Sequence, residues 1–218
     1  MLEQRIQQHF IDSADLKYQS AQTLGKPVEA AVQALLACVT SGGKVLACGH
    51  GASATLAQHF AALFVGRFER ERPELAALAL NADGAVLTAI VRGDEAAQVF
   101  ARQVRALGQA GDVLLVISIA GQEASLLRAI DAAHERDMTV LALTGQGGGP
   151  VGQALRETDV QVCVPHERTM RIQEVHLLIV HCLCDEQERI TRPSTTRLAR
   201  HSGRRASPFG NAKYGRQH

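Results

Sequence analysis

VLLVISIAGQEASLL, Val113 to Leu127, opens on five apolar, β-favouring residues, passes through a loop containing Gly121, and ends at the start of a helical run. A short, continuously apolar run is how a strand buried on both faces of a parallel sheet reads. A strand feeding a helix through a glycine loop is the repeating unit of α/β folds, and that loop is where open α/β sheets hold ligands. Ser118 and Gly121 suit a phosphate loop, but Glu123 sets a carboxylate near the helix start, where an anion would go.

The same grammar recurs on both sides. KVLAC (44–48) is a short strand followed by the loop GHGAS and a helix from Ser53 to Phe64. LAALAL (75–80), TVLAL (139–143) and VQVCV (160–164) predict three more strands. Helices are predicted over 95–107, 124–136 and 170–189. This alternation predicts an α/β fold, a three-layer αβα sandwich around a parallel sheet. Residues 1–41 read as two further helices. The first carries Leu2, Ile6, Phe10 and Ile11 at helical spacing; Leu24-Gly25-Lys26-Pro27 breaks it, with Pro27 in the first turn of the second. Ser41-Gly42-Gly43 is a glycine stop.

Bulk properties narrow the class. The 218 residues, 46% hydrophobic with 19 glycines, suit one domain of ordinary size, assigned to residues 1–190. A net charge of +1 excludes a protein that binds nucleic acid by overall charge. Five cysteines without a secretory segment imply reduced thiols and a cytoplasmic protein. Cys182 and Cys184 read as helix core. No run approaches the roughly 20 apolar residues of a membrane span. Residues 191–218 carry Arg192, Arg197, Arg200, Arg204, Arg205, Lys213 and Arg216 and no acid. This tail is expected to be disordered, and its charge suits DNA or an acidic partner.

In the first loop, Gly49 and Gly51 permit a sharp turn, and Ser53 is expected to cap the helix that follows. The G-x-G-x-x-G fingerprint is not met, since Ala54 takes its last position. Asn81 and Asp83 also fall too late for the acid of a dinucleotide site.

GGKVLACGHGAS, QHFAA, RFERERPELAALALN, AGDVLLVIS, MTVLALTG and RIQEVH together resemble the sugar isomerase (SIS) family over about residues 1–189. The resemblance is to the branch holding phosphoheptose isomerases and the DnaA initiator-associating proteins. VLTAI and CLCD lie closer to the latter. It implies a five-stranded parallel sheet between helices and a homotetramer packed through the N-terminal helices. It also implies ligand contacts from Gly49, Gly51, Ser53, Ser118, Gly121 and Gln173.

Two departures bear on activity. Where the family has S-T-S-G-N-S, the second loop has Ser118, Ile119, Ala120, Gly121, Gln122 and Glu123, and aliphatic side chains donate nothing to a phosphate. Where the isomerases carry a base glutamate four residues after a histidine, this chain has His59 and then Leu63. His181 matches the family's second catalytic residue, an acid. His59, Gln173 and His181 match side chains that bind zinc in some isomerases; with the carboxylate gone, only weak zinc binding, or no cofactor, is expected. Glu174 is expected to point away from Gln173, since helix neighbours diverge by about 100°. These substitutions lead to the expectation of a non-catalytic tetramer that binds DnaA and promotes initiation of replication. The alternative is sedoheptulose 7-phosphate isomerase, or a binding protein for another sugar phosphate.

Overall fold

The apolar runs form five strands, β1 (Val45–Gly49), β2 (Ala77–Ala79), β3 (Val113–Ile117), β4 (Thr139–Gly145) and β5 (Val160–Val164). They make one parallel sheet of order β2-β1-β3-β4-β5. The computed structural model describes residues 1–92 and 95–191. The tail expected from 191 onward therefore lies outside the described residues, Thr191 excepted.

Alternate strand residues feed two separate cores, the signature of a sheet covered on both faces. Val45, Ala47, Val113, Leu115, Ile117, Leu141 and Leu143 pack under α1 (Leu2–Thr40), α2 (Ala52–Val65) and α7 (Thr169–Ile190). Leu46, Cys48, Leu114, Val116, Val140 and Ala142 pack under α4 (Ala101–Leu107) and α5 (Ala124–Glu135). The three-layer αβα expectation holds.

Residues 1–41 depart from the reading. They form one helix, α1, with Pro27 inside it. A proline in a helix interior costs about 3 kcal/mol. Here one buried stripe, Leu16, Leu24, Ala31, Val32, Leu35 and Cys38, crosses the proline without a break. Each large aliphatic side chain fully buried returns roughly 1.5–3 kcal/mol. Gln187 of α7 also donates to the Val32 carbonyl at 3.0 Å. Packing outweighs the local breaker. Helix α1 ends as read: the amides of Gly42 and Gly43 bond back to Val39 and Cys38, with Gly42 at φ +80°. Leu2, Phe10 and Ile11 remain exposed.

The helix predicted over 95–107 is a 3₁₀ turn (Ala96–Gln98) followed by α4. Two short helices escaped the reading, α3 (Gly84–Val91) and α6 (Gly149–Gln153). Asp83 caps α3, accepting from the amides of Ala85 and Val86. Cys184 is buried but Cys182 is exposed, which corrects its placement in the core; all five cysteines are free. Among the described residues no helix is long and apolar enough to cross a membrane.

Candidate functional site

The strand order reverses at β1 and β3, so their outgoing chains diverge and leave a crevice at the carboxyl edge. Both glycine loops border it. Gly49 is required by close packing: a Cβ there would stand 2.8 Å from the Ile117 carbonyl and 2.9 Å from Ser53. Gly51, at φ +54°, is the N-cap of α2. Ser53 therefore sits inside the first turn, not at the cap, and is buried. The next loop residue, His50, reaches across the crevice, with Nε2 2.6 Å from Ser125 Oγ.

The second loop is wired internally. The Gly121 amide donates to Ser118 Oγ at 2.7 Å, and Ser118 Oγ donates to Glu123 Oε2 at 2.7 Å. Gly121, at φ +66°, lies so close to the Gly148 carbonyl that any side chain would collide with it. Glu123 is the N-cap residue of α5, yet its carboxylate makes no cap bond and turns back to Ser118. A carboxylate occupies the anion position, where it gains from the helix dipole. It also repels an incoming phosphate: two unit charges at about 4 Å cost roughly 4 kcal/mol at an effective dielectric of 20.

Helices α2 and α7 bring together the histidines that the sequence separates by 122 residues. His59 Nε2 lies 3.1 Å from His181 Nε2, so one ring donates its N–H and the other accepts. Phe68 lies against His181, with ring centroids 5.7 Å apart. Burial, and then the neighbouring His59, hold the His181 pKa below its usual 6.5. Gln173 ties α7 to the first loop, donating to the Ala52 carbonyl at 2.9 Å, while its Oε1 is buried with no hydrogen-bond partner. Leu63 follows His59 by one turn on the same side of α2 and packs its side chain against the core.

Other candidates fall elsewhere. Glu174 pairs with Arg171 at 2.6 Å, and Arg171 reaches His9 of α1, so Glu174 is no substitute base. His176 faces the sheet instead of His59, fully buried, with Nε2 donating to the Thr144 carbonyl of β4 at 2.9 Å; burial pushes its pKa down to about 4.

The zinc expectation meets an incomplete donor set. Catalytic zinc takes three strong protein ligands. Here two imidazoles are bonded to each other, Gln173 offers a neutral amide, and Leu63 offers nothing. Among the described residues no three His, Cys, Asp or Glu side chains converge to hold a metal ion. The residues do not fit zinc.

Three residues escaped the sequence reading as parts of the site: His50, Phe68 and Glu188. The buried Glu188 carboxylate of α7 accepts from the amides of Phe68 and Glu69 at 3.0 and 3.1 Å, fixing the segment that lays Phe68 against His181. Its partners are 120 and 119 residues away, so no local signal marks it. Glu188→Ala leaves two amides without their charged acceptor and is expected to cost roughly 2–4 kcal/mol. The measurement is a lower urea midpoint at unchanged slope, and Glu188→Gln, which keeps an acceptor oxygen, should recover most of it.

The profile of the SIS domain matches residues 9–145. A phosphoheptose isomerase of Methylibium petroleiphilum is 64% identical over 185 residues, covering 85% of this chain and 92% of that protein. The structure of phosphoheptose isomerase from Neisseria gonorrhoeae superposes with a TM-score of 0.80 at 48% identity, covering 85% of this chain and 97% of its own. That of a phosphoheptose isomerase from Francisella tularensis gives 0.84 at 40% identity, covering 87% and 99%. These findings overturn the expected DnaA-binding scaffold. Leu63 and Glu123 were read as lost chemistry, yet proteins this similar bear the isomerase name, and the two imidazoles remain in contact. By fold, profile and identity alike, the chain belongs to the SIS domain family, in its phosphoheptose isomerase branch.

Proposed function

We propose that the protein is a sugar-phosphate isomerase acting on sedoheptulose 7-phosphate, interconverting this ketose phosphate and its aldose isomer. The observation that carries the reading is the His59–His181 pair, two half-buried imidazoles at 3.1 Å beside the crevice. Aldose–ketose isomerisation moves a proton between adjacent carbons and needs one group that accepts and returns it. Burial, and then His59, lower the His181 pKa and so favour the neutral form that a base requires. Neutral His181 takes the C1 proton as water protonates the C2 carbonyl oxygen, giving an enediol and a hydroxide that later takes the C1 hydroxyl proton. The imidazolium then returns its proton to C2 while the C1 hydroxyl loses its own, leaving the C1 aldehyde. His59 accepts a hydrogen bond from the imidazolium and holds the charge between the rings.

The test is turnover of sedoheptulose 7-phosphate by the purified protein in deuterated water, with solvent deuterium appearing at C1 or C2. Because the base acts when neutral and its pKa is lowered, kcat/KM should rise with pH to a plateau whose midpoint lies below 6.5. No turnover, or a midpoint above 6.5, sinks this reading. Leu63 favours a second one, a protein that binds the sugar phosphate without converting it. Saturable binding without turnover is its signature.

Self-association belongs to the same proposal. The exposed Leu2, Phe10 and Ile11 lie along the protruding half of α1, a length of apolar surface that a single copy leaves uncovered.

A further inference from the structure

We propose that His50 and Ser125 hold the substrate's phosphate, taking over from the hydroxyls that the second loop lacks. The inference rests on the isomerase reading for its substrate but not for its geometry. Residues 48–53 and 118–125 contain one side chain able to carry positive charge, His50. In the second loop, Ile119 and Ala120 donate nothing from their side chains, and Ser118 gives its hydroxyl proton to Glu123. A phosphate directed at Ser118 would have to displace that carboxylate.

Across the crevice the arrangement is different. His50 is exposed, so a ligand can reach it. Its ring is steadied by Phe100 at a centroid distance of 5.0 Å, and its Nε2 meets Ser125 Oγ at 2.6 Å. Ser125 lies in the first turn of the twelve-residue helix α5, and Ser53 in the first turn of α2, so both helix starts face the same gap. Whichever way the hydrogen bond between them runs, one donor is left free, the Ser125 hydroxyl or the other ring N–H of His50, and both groups are positioned before ligand arrives. In this chain the anion is therefore held between His50 and Ser125 rather than at Ser118, whose hydroxyl is engaged by Glu123.

The experiment titrates the full-length protein with inorganic phosphate and with sedoheptulose 7-phosphate, comparing wild type, His50→Asn, His50→Lys and Ser125→Ala by calorimetry. His50→Asn and Ser125→Ala should each weaken phosphate binding about tenfold, the loss of one charge-assisted hydrogen bond. KM should rise to match while kcat stays near wild type. His50→Lys, which keeps an N–H donor at this position, should retain most of the affinity, and unchanged thermal melting of all variants excludes misfolding. An unchanged phosphate Kd in His50→Asn, or a fall in kcat at constant KM, overturns the proposal. If the wild type converts no sugar phosphate yet binds phosphate through His50, the isomerase reading fails and this one stands. If the wild type binds no phosphate, this one fails.

Discussion

His181→Gln is expected to lower kcat for sedoheptulose 7-phosphate by roughly 10²–10⁴, the usual contribution of a positioned acid–base group. Glutamine keeps a polar side chain beside His59 but cannot take a proton from carbon. His181 is not among the residues assigned to the phosphate, so KM should change little. That split separates loss of proton transfer from loss of binding. Solvent deuterium exchange into the sugar should fall in parallel, because both depend on the same proton abstraction. A variant with wild-type kcat would remove His181 from the chemistry, and with it the observation on which the proposed function rests.

Leu63→Glu is expected to act in the opposite direction, raising kcat by roughly 10²-fold. Position 63 follows His59 by one turn of α2, so a carboxylate there faces the imidazole pair and adds a stronger proton acceptor. The cost is lost packing, since Leu63 contacts the core on the α2 side, and about 1–2 kcal/mol of stability should go with it. The substitution would also complete a set of two imidazoles and one carboxylate, which is a catalytic zinc set. Kinetics should be paired with metal analysis of the purified variant and with a chelator control. A Leu63→Glu protein that is folded, metal-free and no faster than wild type would show that the base position is not what limits turnover.

Much of the architecture was legible because its signals are local. The three central strands, β1, β3 and β4, are buried on both faces and had to be apolar runs; all five strands were found within a few residues of their observed bounds. Glycines mattered where two backbones nearly touch, as at Gly49 and Gly121, and both were picked out. Errors arose where a distant contact overruled a local preference. Gly25-Lys26-Pro27 is a sound helix break in isolation, and α7 packing against α1 carries the helix through it. The pairs that make the site are further apart still: His59 with His181, His50 with Ser125, Glu188 with Phe68. Only the first was anticipated, through resemblance to a family. His50 stood in plain view as the one ionisable side chain of its loop, but its meaning depended on Ser125, 75 residues on. Leu63 and Glu123 were read residue by residue as losses. Glu123, however, is engaged by Ser118, and the crevice keeps donors on its other wall.

The strand order also imposes a timetable on the growing polypeptide. β1 cannot find β3 until some 68 residues later, and His181 follows His59 by 122. The ribosome delivers residues from the amino end at about 5–20 per second, so the first loop waits for its partners while β3, β4 and β5 are made. Helix α7, which carries Gln173, His181 and Glu188, is the last described element to emerge. Chains cut short before it would be left with an uncovered sheet face and only one imidazole of the His59–His181 pair. The imidazole pair therefore forms only once α7 has been made, and a chain that stops before it is a fragment for proteases.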